Sequence, residues 1–125
     1  MRAILDTSVL IGAEAPANVD GAISAASLAE LHFGALVARD DAERARRVQR
    51  LGVVEATFDP LPVDADVARE WGRLAAAVAQ RGGAPRRRTM DLVIAATANV
   101  HQVALLTRDV ADLRIIDDMV DVRPA

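Results

Sequence analysis

Cysteine and lysine are absent from the 125-residue chain, and Phe33, Phe58 and Trp71 are its aromatic side chains. Without cysteine there is no disulfide framework, no thiolate nucleophile and no zinc–cysteine site. Any metal would rest on oxygen atoms or on His32 and His101. Without lysine, neither a Walker-type phosphate loop nor a Schiff-base centre can be built. The few aromatics fall in apolar stretches, which argues against recognition by base stacking. No apolar run reaches the length of a membrane span, and no charged segment with an apolar core precedes the first strand. A soluble, cytoplasmic protein is the expectation.

All 15 basic residues are arginine, set against 18 acids for a net charge of −3. Mild acidity speaks against broad, sequence-independent nucleic-acid binding, which normally shows as a basic patch. It would mislead if acids shared divalent cations, because two such ions would reverse its sign. The length fits a single domain, 1–125, able to bury its apolar surface without staples.

The run Ala3-Ile4-Leu5 is too short for a helix and reads as a buried strand ending in Asp6, Thr7 and Ser8. A short helix over 7–14, capped by Asp6 or Thr7, precedes a loop at Ala15-Pro16-Ala17-Asn18. Ala22-Ile23-Ser24 suits a second short strand, and from Ser27 the spacing of Leu28, Leu31, Ala35 and Leu36 is helical. A charge-dense helix over 41–54 carries Glu43, Arg44, Arg46, Arg47 and Arg50, chiefly as a solvated face, the lesser alternative being that some of these arginines hold an RNA or a partner. After an extended segment over 58–63, Asp64 caps a helix whose apolar stripe is Val67, Trp71, Leu74 and Val78. Gly82, Gly83 and Pro85 stop it. Residues 89–98 predict a helix apolar nearly all round, hence central. Val103-Ala104-Leu105-Leu106 is the clearest buried strand and runs into Thr107, Arg108 and Asp109. A helical turn at Ala111-Asp112-Leu113, a last strand at Arg114-Ile115-Ile116 and a polar tail complete the chain. Strands alternating with helices imply an α/β protein with a parallel sheet covered on both faces.

In an open α/β sheet ligands bind at the carboxyl ends of the strands, where Asp6 and Asp109 stand. Glu30 and Asp91 are helix-borne. Each acid also has a local explanation. Asp6 would cap the first helix, Ser27-Leu28-Ala29-Glu30 matches a capping box, and Asp91 falls in a first turn, where the helix dipole favours an acid. Asp109 would cap the turn holding Asp112. Against the local reading, Asp91 is followed by Leu92-Val93-Ile94-Ala95-Ala96, where an unpaired carboxylate is costly to bury. Arg86, Arg87 and Arg88 are near in sequence but expected to stretch into solvent. A divalent cation would satisfy several acids at once, and Mg²⁺ prefers oxygen ligands. Spacing alone leaves their convergence open.

The sequence resembles the PIN-domain ribonucleases, of the compact kind that forms the toxin of VapBC toxin–antitoxin pairs. The resemblance rests on Ile4-Leu5-Asp6-Thr7-Ser8, on Ser24 to Glu30-Leu31 with Gly34, on the stretch from Arg86 through Asp91 to Ala98, and on Leu105-Leu106-Thr107-Arg108-Asp109. It covers essentially the whole chain. It implies a three-layer α/β/α PIN-like fold with a central, mainly parallel sheet of four to five strands. It also implies that Asp6, Glu30, Asp91 and Asp109 form an acidic metal-binding quartet, with Thr7, Ser8 and Thr107 as supporting hydroxyls. Asp112 matches a further acid often found just beyond the fourth, as ligand or as neighbour of a ligand, although Leu113 replaces the aromatic residue usual after it.

The activity so implied is hydrolysis of RNA phosphodiester bonds by an endoribonuclease dependent on Mg²⁺ (or Mn²⁺), with a metal-activated water and no nucleophilic side chain. His32, expected partly buried beside the helix of Glu30, and His101, near a helix end, are not needed as catalysts. Arg86, Arg87, Arg88 and Arg108 are the candidate contacts to substrate phosphates. The resemblance further implies single-stranded RNA as substrate and a cognate VapB-type antitoxin that places a basic residue among the acids. A homodimer through helical surfaces is expected, with the Trp71 stripe as dimer contact or as intrachain core. One alternative is a catalytically inactive PIN-like module that binds RNA or protein, against which the complete quartet argues. Another is a phosphoaspartyl or receiver domain, against which the missing lysine and the missing Asp-x-Asp pair argue.

Overall fold

The computed structural model describes residues 1–12 and 16–125. In chain order it contains β1 (Arg2–Leu5), α1 (Thr7–Leu10), β2 (Asp20–Ala22), α2 (Ala25–Leu36), α3 (Asp41–Thr57), α4 (Ala65–Gln80), α5 (Thr89–Val100), β3 (Ala104–Thr107) and β4 (Val122–Pro124). Two 3₁₀ segments, Pro85–Arg88 and Val110–Ile116, precede α5 and follow β3. The far end of the helix expected over 7–14, and Ala15 of the expected loop, lie outside the described residues.

The sheet has four strands in the order β2-β1-β3-β4, and every pairing is parallel. Alternation along the middle strands divides the core in two, since successive side chains leave a strand on opposite faces. Ile4 and Leu105 join one cluster with Val67, Leu74 and Val78 of α4, Leu92 and Ile94 of α5, and Leu113 and Ile116. Ala3, Leu5 and Leu106 join the other with Val9, Ile23, Leu31 of α2, and Leu51 and Val54 of α3. Helices therefore cover both faces, and the fold is three-layered α/β/α.

Local capping sets where the helices begin. Asp40 accepts from the Glu43 amide at 2.8 Å and Asp64 from the Val67 amide at 2.9 Å, as their sequence contexts predict. Gly82, at φ 87°, ends α4 as a left-handed cap, with its neighbour Gly83 donating to the Val78 carbonyl at 2.8 Å.

Several expectations are corrected. Ser27 is not the cap of α2: Ser24 is, accepting from the Ala26 amide at 3.0 Å, so no capping box forms. The second strand is Asp20–Ala22, and Ser24 instead bridges to Leu61. Arg114-Ile115-Ile116 is no strand. It belongs to the 3₁₀ segment, whose three-residue repeat puts Leu113 and Ile116 on one buried side. The last strand is β4, placed at a sheet edge that tolerates Pro124. His32 is exposed and contacts Glu55 at 2.9 Å. Phe33 is 67% exposed rather than part of a buried stripe. Trp71 packs against the first cluster and donates its indole N–H to the Thr89 carbonyl at 3.2 Å, an intrachain role. Among the described residues no helix is long and apolar enough to cross a membrane.

Candidate active site

The strand order fixes where a ligand can sit. From β1 the chain goes to β2 on one side and later returns to β3 on the other. The connections thus diverge between β1 and β3, opening a crevice beyond their carboxyl ends. Asp6 follows β1 there, anchored by its amide to the Leu106 carbonyl at 2.9 Å. Its carboxylate is 8% exposed.

Asp6 Oδ2 accepts from Ser8 Oγ at 2.7 Å and from Thr107 Oγ1 at 2.9 Å. The Ser8 hydroxyl accepts in turn from the Arg108 amide, and the Thr107 hydroxyl from the Asp109 amide, each at 3.0 Å. A hydroxyl has one proton to give, so both are spent on the carboxylate. The 3.2 Å approach of Ser8 Oγ to Thr107 Oγ1 then carries no hydrogen. Two amide–hydroxyl–carboxylate relays therefore hold Asp6 from one side, while its Oδ1 accepts no hydrogen bond among the described residues. The Ser8 amide adds a longer contact to Oδ2 at 3.4 Å, which is the local cap expected of Asp6.

Glu30, in the second turn of α2, accepts from Thr7 Oγ1 at 2.7 Å, and that hydroxyl also stands 3.0 Å from the buried Ser27 Oγ. Burial pushes the Glu30 carboxyl above the ordinary range; the Thr7 bond holds it down, and the charges of Asp91 and Asp6 push it up further. Asp91, in the first turn of α5, is also raised, first by burial and then by Asp6, against a lowering pull from Arg88. These mutual effects mean that acids from the end of β1, from α2 and from α5 have become electrostatic neighbours.

Arg88 does not stretch into solvent as expected. Its Nη1 lies 3.0 Å from Asp112 Oδ2 and 3.6 Å from Asp91 Oδ2. Asp112 is thereby drawn to the same cluster. Asp109 is exposed, and its side chain does not cap the 3₁₀ segment, so its local explanation fails. Its position just beyond β3 suits the site, but among the described residues no hydrogen bond or shared ion pair ties its carboxylate to the other acids. Arg86 and Arg87 are exposed on the 3₁₀ segment before α5, and the Arg108 guanidinium lies against Gly12, where a Cβ would meet its Nε at 2.5 Å.

Among the described residues no three acid or histidine side chains are spaced to grip one ion at once. The donor chemistry nevertheless fits a hard divalent cation: oxygens only, a free Oδ1 on Asp6, and like charges whose repulsion Arg88 offsets on one side alone. Clefts flank the cluster on both sides. One of about 450 Å³ includes Thr7, Glu30, Gly34, Arg47 and Arg50; the other, of about 490 Å³, includes Arg87, Arg88, Leu92 and Asp112. Sequence reasoning missed Ser27 as a site neighbour, and Arg47 and Arg50, read chiefly as a solvated face, line the cleft beside Glu30. The one available signal was Ser27 lying three residues from Glu30, on the same helix face.

Comparison with known proteins gives the family. The family model of the PIN domain matches residues 3–117. Ribonuclease VapC5 of Mycobacterium tuberculosis is 39% identical over 113 residues, covering 85% of this chain and 82% of the relative. Ribonuclease VapC4 of the same organism is 36% identical over 115 residues, 86% of each. The crystal structure of VapBC-5 from Mycobacterium tuberculosis, a member of the VapBC family of toxin–antitoxin systems, superposes with a TM-score of 0.83 at 35% identity, over 98% of this chain and 96% of that one. With the family model matched over residues 3–117 and VapC relatives 36% and 39% identical over more than four-fifths of the chain, the chain belongs to the PIN-domain family, in its VapC branch.

Proposed function

We propose that the protein is a Mg²⁺-dependent endoribonuclease, the toxin of a VapBC-type pair, acting through Asp6, Glu30, Asp91 and Asp109. What supports this reading is that Thr7, next to Asp6 at the end of β1, donates to Glu30 of α2 at 2.7 Å, with Asp6, Glu30 and Asp91 near enough for their charges to act on one another. These carboxylates, joined by Asp109 from the end of β3, would hold the ion. A divalent cation bound there supplies a water of lowered pKa and neutralises charge on the phosphate. Ser8 and Thr107 orient Asp6, and Thr7 orients Glu30.

Cleavage within a chain is favoured by the clefts on both sides of the acids. An enzyme that captures chain ends needs one channel closed at the reacting end, whereas here arginines line both approaches, Arg47 and Arg50 on one and Arg87 and Arg88 on the other. Guanidinium groups pair bidentately with phosphate, and the exposed Arg86 extends that side. The VapBC-5 relative is a toxin–antitoxin pair, and by the same kinship this chain is held in check by an antitoxin that covers the acids. A homodimer belongs to the same reading.

A circular single-stranded RNA tests it, since a circle has no end to attack. With Mg²⁺ the wild type linearises the circle; with the metal chelated, or with Asp6→Asn or Asp91→Asn, the rate falls at least about a hundredfold, the order of loss when charge stabilisation is removed. A circle left intact while linear RNA is degraded rejects the endonuclease; equal rates in the variants reject the site.

A further inference from the structure

We propose that Arg88 is a displaceable counter-ion of the acid cluster, competing with a divalent cation for Asp91 and Asp112. This rests on the reading of the acids as the metal site. Arg88 has a feature that structural ion pairing does not require: one Nη1 serves carboxylates of two separate elements, Asp91 of α5 and Asp112 of the 3₁₀ segment after β3, both through their Oδ2 atoms. Among the described residues Arg88 forms no other ion pair. The contact to Asp91 is long at 3.6 Å, beyond hydrogen-bond range, and all the side chains involved are between a third and a half exposed. Such partly solvated pairs are weak and are exchanged readily.

The guanidinium therefore occupies the cation's side of Asp91 without being locked there. It also has somewhere to go. Arg88 lines the cleft of about 490 Å³ together with Arg87, over a floor of Val78, Leu92 and Ile116. A cation that takes Asp91 releases Arg88 toward this cleft, where it stands beside Arg87 to take a phosphate of the nucleotide next to the scissile bond. Binding of the ion thus frees a phosphate ligand, and by linkage a phosphate that draws Arg88 away strengthens binding of the ion.

Electron paramagnetic resonance of free Mn²⁺ reads the competition directly on the full chain, without RNA. Arg88→Gln removes the charge and keeps a polar side chain of similar reach; its partly exposed position leaves the fold intact, which circular dichroism checks. Arg88→Gln should bind Mn²⁺ about threefold to tenfold more tightly than wild type, the loss of two weak pairs. Arg88→Lys, a compact cation on a flexible stem, should return affinity to the wild-type side. Unchanged or weaker Mn²⁺ binding by Arg88→Gln, with wild-type binding intact, overturns the competition and makes Arg88 a support for the carboxylates. Binding by neither protein overturns both this inference and the metal site itself.

Discussion

Among the described residues Asp6 is held by hydroxyls on one oxygen and accepts nothing on the other, and Glu30 accepts a hydrogen bond from Thr7 alone. That difference makes Thr7 the sensitive point. The bond it donates holds the Glu30 carboxyl down while burial and the acids around it push up. Thr7→Val keeps the shape and removes the bond, so Glu30 retains its proton to higher pH. A group that must be ionised to serve a cation then fails earlier on acidification. The acid limb of the RNA-cleavage profile should move to higher pH in Thr7→Val, with cleavage at the alkaline plateau reduced no more than about tenfold. A limb that stays in place assigns the wild-type limb to another group. The residue types of this site were legible in the sequence, because an acid and hydroxyls at a strand end have few other uses. The pairing of Arg88 was not: nothing in three consecutive arginines says which one turns inward, and the choice is made by Asp112, 24 positions away in the chain.

At the scale of the element, α2 decides whether Glu30 faces the crevice. The helix begins at Ala25 because the buried Ser24 caps it, and Ser27, which the sequence offered as the cap, sits in the first turn facing Thr7. Both serines are N-cap residue types and Ser27 alone has the capping-box glutamate, yet the tertiary bridge from Ser24 to Leu61 accompanies the start of the helix at Ala25. Ser24→Ala should cost about 0.5–2 kcal/mol by chemical denaturation, the usual loss of an N-cap, whereas a loss of this size from Ser27→Ala with none from Ser24→Ala would reverse the assignment. The same limit explains the end of the chain. Arg114-Ile115-Ile116 has strand composition, but its buried positions, Leu113 and Ile116, repeat every three residues. β4 has little apolar character and forms because β3 offers a free edge, a tertiary cause that no local pattern records. The buried strands β1 and β3 and the apolar α5 were legible for the opposite reason: burial on all sides leaves an unbroken apolar run.

For the whole molecule, the α/β/α layering follows from two core clusters divided by the sheet, and the acids gather where that sheet's connections diverge. The cluster costs stability. With Glu30 and Asp91 raised, the folded chain holds their protons more tightly than the unfolded chain does, so stability falls as pH rises from the ordinary carboxylate range through the raised values. Above the raised values the full repulsion is present, and an ion shared by the acids relieves it.

Thermal unfolding with and without Mg²⁺ tests that sharing most directly. An ion bound by the folded state alone stabilises it by about 2.7 kcal/mol at a hundredfold excess over Kd. Wild-type Tm at pH 7 should therefore rise by several degrees with Mg²⁺, and the rise should vanish in Asp6→Asn, in Glu30→Gln and in Asp91→Asn. The same rise in all of these proteins would contradict the account, because the ion would then be bound elsewhere.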